Sequence, residues 1–135
     1  MIKWNKGESK QLSRRFVTDE FTCKCSNKDC VEQQISPELV EKLQTLRDLV
    51  GSLKITSGFR CEKHNKAVGG RKNSTHTQGL AVDIQPVGDF LDPREDRRLP
   101  KLKRAAEDLG AFTGLGLKYK TFVHLDIKPG KVRKF

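Results

Sequence analysis

No stretch of the sequence approaches the roughly 18 apolar residues that a membrane-spanning helix requires. The amino terminus, Met1-Ile2-Lys3-Trp4-Asn5-Lys6, also lacks the apolar core of a secretory signal. The expectation is therefore cytoplasmic synthesis, with any release to the outside left to lysis or a separate pore. Aromatic residues are scarce at 7%, with one tryptophan and one tyrosine to stack on bases. No helix-turn-helix or zinc-finger spacing compensates, which argues against nucleic acid as the partner. Histidine is rarer still. There are only three, so their positions carry information.

Acidic residues are in deficit. Seventeen Asp and Glu face 27 Lys and Arg, a net charge of +10 spread along the whole chain. Such a field suits an anionic surface or an acidic polymer, although solubility alone accounts for it equally well. A chain of 135 residues holds one domain with a real core, not two comfortable ones. A monomer is expected, without internal repeats or low-complexity tracts.

The four cysteines are Cys23, Cys25, Cys30 and Cys61. An even count permits disulfides, but the missing signal argues against relying on them. The spacing C-x-C-x4-C is not that of a standard paired knuckle. Reduced thiols or a disulfide are the expectation, with a second, structural zinc on four thiolates as the alternative.

Residues 1–35 read as an irregular arm that carries the cysteine cluster, and residues 36–135 as the main domain. Ser36-Pro37-Glu38 marks a helix start: an N-cap, a proline at the first helical position and an early acid. Leu39, Val40, Leu43, Leu46, Leu49 and Val50 continue as a core-facing stripe, which Gly51 ends. Leu53–Ser57 alternates as a strand, and Phe59–Asn65 turns into a loop or short helix. Leu80–Gln85 reads as a buried strand, and Val87–Pro100 as a polar surface loop. Leu99, Leu102, Ala105, Ala106 and Leu109 mark a second helix before Gly110. Gly114–Leu117 and Phe122–Ile127 form a hairpin. This order predicts one α+β domain, a small antiparallel sheet with flanking helices.

The chemistry concentrates in Ser74-Thr75-His76-Thr77-Gln78-Gly79-Leu80-Ala81-Val82-Asp83 and, forty-one residues beyond Asp83, in His124-Leu125-Asp126. His76 precedes a turn that Gly79 permits, and Asp83 lies on the following strand. If the strand of His124 pairs beside Asp83, the three meet as two imidazoles and a carboxylate. That donor set suits a zinc ion whose fourth position holds water. A carboxylate within Ala-Val-Asp-Ile is unfavourable unless paired or metal-bound, which sets Asp83 apart from an ordinary surface acid. Strand alternation puts His124 and Asp126 on one face.

These residues lie among others: Ile55-Thr56-Ser57-Gly58-Phe59-Arg60, His64-Asn65, Val68-Gly69-Gly70, and the blocks around His76 and His124. Together, from about Phe16 to Lys128, they resemble the zinc D-Ala-D-Ala carboxypeptidase family, in its short bacteriophage and bacterial branch. That family shares its fold with the sonic hedgehog group. The resemblance implies zinc on His76, Asp83 and His124 and hydrolysis of peptidoglycan stem or cross-bridge peptides, as in an endolysin or a wall-remodelling enzyme. It also implies that Arg60 holds a substrate carboxylate or stabilises an oxyanion. Ser74 and His64 match positions that hold the loop or face the substrate. Many relatives carry an acidic or histidine base three residues before the last ligand, where this sequence has Thr121. Asp126 is then either that base or the residue that orients His124, with orientation favoured. The departure at Thr121 keeps open a non-catalytic, zinc-containing binding module of the same fold. A basic nucleic-acid or virion-assembly protein is the least supported reading.

Overall fold

Ser36 starts the first long helix as its composition demands. Its hydroxyl accepts a hydrogen bond from the Leu39 N–H at 3.4 Å, and Pro37 stands at the first helical position, where no N–H is needed. The computed structural model describes residues 1–135. This helix, α1 (Pro37–Val50), buries Leu39, Val40, Leu43, Leu46 and Val50, and ends at Gly51, whose φ of 95° favours glycine. Leu49 departs from the expected stripe. It sits on the flank of the apolar face and is 61% exposed.

The main sheet has the order β3-β4-β6-β5-β7, from β3 (Leu53–Ser57), β4 (Ala81–Pro86), β5 (Gly114–Gly116), β6 (Val123–Asp126) and β7 (Arg133–Lys134). All pairs are antiparallel except β5 with β7, a short parallel strand that the alternation of the sequence did not announce. One face presents Ile55, Val82, Ile84, Leu115, Val123 and Leu125 to the core. Two helices cover that face: α1 packs on α3 (Glu95–Leu109), and α3 rests on β4 and β6. The fold is a small α+β domain, as expected, and its opposite sheet face is left for the site.

Two segments differ from expectation. The stretch before α1 is not an irregular arm: β1 (Ile2–Asn5) and β2 (Glu32–Ile35) form an antiparallel pair, and Trp4, Phe16, Phe21 and Ile35 join the core. Phe16 and Phe21 meet edge to face, with ring centres 5.8 Å apart. The polar excursion after Val87 ends early, because α3 begins at Glu95 and contains Pro100. A proline that close to the helix start forfeits a single backbone bond, to a carbonyl at the exposed end. Buried Asp92 fastens this start through Arg94 at 2.8 Å and Lys101 at 2.5 Å.

Candidate metal centre

Register builds the site. Asp83 on β4 stands opposite His124 on β6, and His124 stands opposite Gly116 on β5. Two residues along, Ala81, Asp126 and Gly114 form the next row on the same face. The two glycines leave the space that the neighbouring side chains fill. A Cβ on Gly116 would lie 2.7 Å from that of His124, and one on Gly114 would overlap the Asp126 carboxylate.

His76 arrives from outside the sheet, on a one-turn 3-10 helix, Thr75–Gln78. Ser74 caps this turn by accepting from the His76 N–H at 3.2 Å, and Gly79 closes it at φ 72°. Gly79 must be small for a second reason: a Cβ there would come within 2.9 Å of the Gln34 carbonyl. Donor atoms of His76, Asp83 and His124 lie within 4.8 Å of one another, all three residues nearly enclosed.

Hydrogen bonds decide which ring nitrogen faces inward. His76 Nδ1 donates to the Gly58 carbonyl at 2.8 Å, so in the neutral ring Nε2 turns its lone pair toward Asp83 Oδ1, 3.2 Å away. His124 Nε2 donates to Asp126 Oδ2 at 2.8 Å, so Nδ1 turns its lone pair toward the same Asp83 oxygen, at 3.1 Å. Two neutral imidazoles thus aim lone pairs at one carboxylate. Either extra protons or a cation must sit among them. Two nitrogens and one oxygen are a donor set that zinc and its neighbours in the first transition row accept, and the outward bonds to Gly58 and Asp126 are the kind that orient metal-binding histidines. The residues fit a metal ion.

Burial opposes the Asp83 charge, yet when the extra protons occupy the inward nitrogens, hydrogen bonds from His124 and His76 outweigh it and lower the pKa of the carboxyl. Burial likewise disfavours a charged His124, but Asp126 and Asp83 together raise its pKa. Asp126 is 1% exposed and fully engaged: Oδ2 holds His124, while Oδ1 accepts from the Lys128 N–H and from Arg133.

Arg60 stands at the edge of the cluster. Its guanidinium reaches Asp83 Oδ2 at 3.2 Å and Asn65 Oδ1 at 3.3 Å, and Nε donates to Ser57 at 3.0 Å. The Arg60 N–H also donates to the His76 carbonyl, which ties the two segments together. His64 lies on the short helix α2 (Glu62–Ala67), outside the His76 cluster, and burial with nearby Arg60 and Lys6 lowers its pKa. A polar groove of about 430 Å3 runs between α2 and the His76 turn, lined by Asn65, Lys66, Lys72, Asn73 and Thr77 among others.

Sequence reasoning overlooked several of these residues. Gly114 and Gly116 had a usable signal, since their spacing of two puts both on one face of a strand, and the register makes it the face of His124 and Asp126. Gly58 stood in the Ile55–Arg60 block, but the role of its carbonyl had no signal, and neither had Arg133, which reaches back from the tail.

Fold and site together define a small α+β protein built around a candidate metal centre. A family model described as Peptidase M15 matches residues 14–126, a span that includes every residue of the cluster, and the chain belongs to that family. Membership makes it a peptidase of a typically metal-dependent kind. Among curated proteins, none matches the chain.

Proposed function

We propose that the protein is a zinc metallopeptidase that hydrolyses peptide bonds in peptidoglycan stem or cross-bridge peptides. The observation that carries this reading is the convergence of the His76, Asp83 and His124 donors within a peptidase-family segment. In this reading His76 Nε2, Asp83 Oδ1 and His124 Nδ1 hold the ion, and Gly58 and Asp126 fix the two ring orientations. Zinc bound there supplies Lewis acidity to a scissile carbonyl and acidifies a water molecule.

The chain's own residues do the rest. Arg60 presents a planar, permanently charged fork beside the cluster, suited to a substrate carboxylate or to charge developing on the carbonyl oxygen. Asp126 acts through His124, because both of its oxygens are already occupied. Ser74 keeps the His76 turn in place. Lys66 and Lys72, against the single acid Glu62, make the neighbouring groove attractive to the acidic groups of stem peptides, and His64 is assigned in this reading to the substrate approach from the same helix. The net charge of +10 supports adsorption to an anionic wall, an attraction that salt should weaken.

One observation favours a second reading, a zinc-holding binding module without turnover. Asp126 is the one carboxylate beyond Asp83 that is bonded into the cluster, and it is not free to accept a proton from water. Incubation with defined muropeptides, followed by mass spectrometry of the products, separates the two. Zinc-dependent release of peptide fragments, abolished in His76→Ala, supports the peptidase and names the bond cut. Full zinc loading without fragments from any muropeptide overturns it in favour of the binding module.

A further inference from the structure

The cysteines form a second cluster, which Cys61 joins from the position next to Arg60. Three belong to the segment before α1, and Cys61 is the residue that caps α2, yet the four sulfurs lie within 4.8 Å of one another. Cys61 Sγ is 3.8 Å from Cys23 Sγ and 3.7 Å from Cys25 Sγ. Sulfurs bound at about 2.3 Å around a tetrahedral centre stand about 3.8 Å apart, as these two pairs do. A disulfide would instead draw two of them to about 2.05 Å and leave the other two without a reason to converge.

Hydrogen bonding points the same way. Each sulfur receives one N–H donor at 3.4 Å: the Cys61 N–H on Cys23, Lys6 Nζ on Cys25, Gln33 Nε2 on Cys30 and the His64 N–H on Cys61. A neutral thiol is a weak acceptor and gains little from such an arrangement. Four thiolates around a divalent ion carry excess negative charge, which one donor per sulfur and the Lys6 ammonium offset.

We propose that Cys23, Cys25, Cys30 and Cys61 hold a structural zinc ion, distinct from the ion of the His76 cluster. Four protein ligands leave no open coordination position, so the site does no chemistry. Its effect is mechanical. It fastens the segment before α1 to the loop Gly58–Cys61, which supplies the Gly58 carbonyl to His76 and Arg60 to Asp83. Backbone packing serves the same seam: Phe59 N–H donates to the Phe21 carbonyl at 2.8 Å, and a Cβ on Gly58 would come within 2.6 Å of Phe21 Cα.

The test reads metal rather than turnover. Protein purified under reducing conditions is exchanged with cobalt, as wild type and as the His76→Ala/His124→Ala variant. Both should show the intense near-ultraviolet bands of sulfur-to-metal charge transfer, and the variant should retain about one equivalent of zinc per chain. Titration with a mercurial should release that zinc as the thiols react. A Cys25→Ser/Cys30→Ser variant should lose the bands and unfold at lower temperature. Should that variant fail to fold, the wild-type spectrum still decides. Cobalt protein without thiolate bands, a chain mass lowered by disulfide formation, or iron as the sole metal on the thiols would overturn the proposal. None of these outcomes depends on whether the protein cleaves peptides.

Discussion

Asp126 Oδ2 accepts the hydrogen bond of His124 Nε2 at 2.8 Å, while its other oxygen is held by Lys128 and Arg133. An acceptor so placed settles the tautomer of the ring and leaves Nδ1 for the cluster. Asp126→Asn should therefore weaken zinc binding by about 10- to 100-fold without unfolding the chain. Zinc titration measures the affinity, and excess zinc should restore most of the turnover. Turnover that stays lost at saturating zinc would make Asp126 a direct participant in catalysis.

Arg60 divides its guanidinium among Asp83, Asn65 and Ser57. Arg60→Lys keeps the charge but not the fork. Turnover should fall on the order of 100-fold while zinc content stays at the wild-type level. Zinc content falling in step with activity would mean that the arginine serves only to hold Asp83.

Gly114 has no room for a methyl group, because a Cβ there would overlap the Asp126 carboxylate. Gly114→Ala should destabilise the fold by about 1–3 kcal/mol through overpacking. Chemical denaturation reads the loss, and zinc affinity should drop with it as Asp126 is pushed from His124. Gly110→Ala is a useful contrast, since its added Cβ meets nothing within 4 Å and the φ of 65° is the only strain.

The Asp92 carboxyl is held far below the usual carboxylate range, first by Arg94 and then by Lys101. Its folded pKa is depressed, so its contribution to stability is complete above the unfolded value of about 4 and disappears as the pH falls below it. Denaturation midpoints of wild type and Asp92→Asn should differ most near neutral pH and converge as the pH drops below about 4. A gap that persists unchanged at low pH would count against the ion pairs.

Much of this arrangement was legible because hydrophobic period and chemical expense speak plainly in short segments. The stripe of α1, its Ser36-Pro37 start and the alternation of Leu53–Ser57 each carry a local signal. So does Asp83, a charge embedded in an apolar strand. The segment before α1 was illegible for a specific reason. In Glu32–Ile35 a buried position is held by Gln33, 1% exposed, whose Oε1 accepts from the Cys23 N–H at 2.7 Å. Hydrogen bonding there replaces the apolar residue that a strand pattern needs. The gathering of the cysteines was legible only as the lesser alternative, since nothing in C-x-C-x4-C reveals that Cys61 folds back onto it.

Contacts that frame both clusters reach far along the chain. Cys23 and Cys61 are 38 positions apart, and Asp83 and His124 are 41. The polypeptide must close loops of that size before either set of donors is complete. Full coordination of either ion therefore belongs to the folded chain. Refolding should proceed at a rate indifferent to zinc in the buffer, whereas the lifetime of the folded chain should lengthen with it.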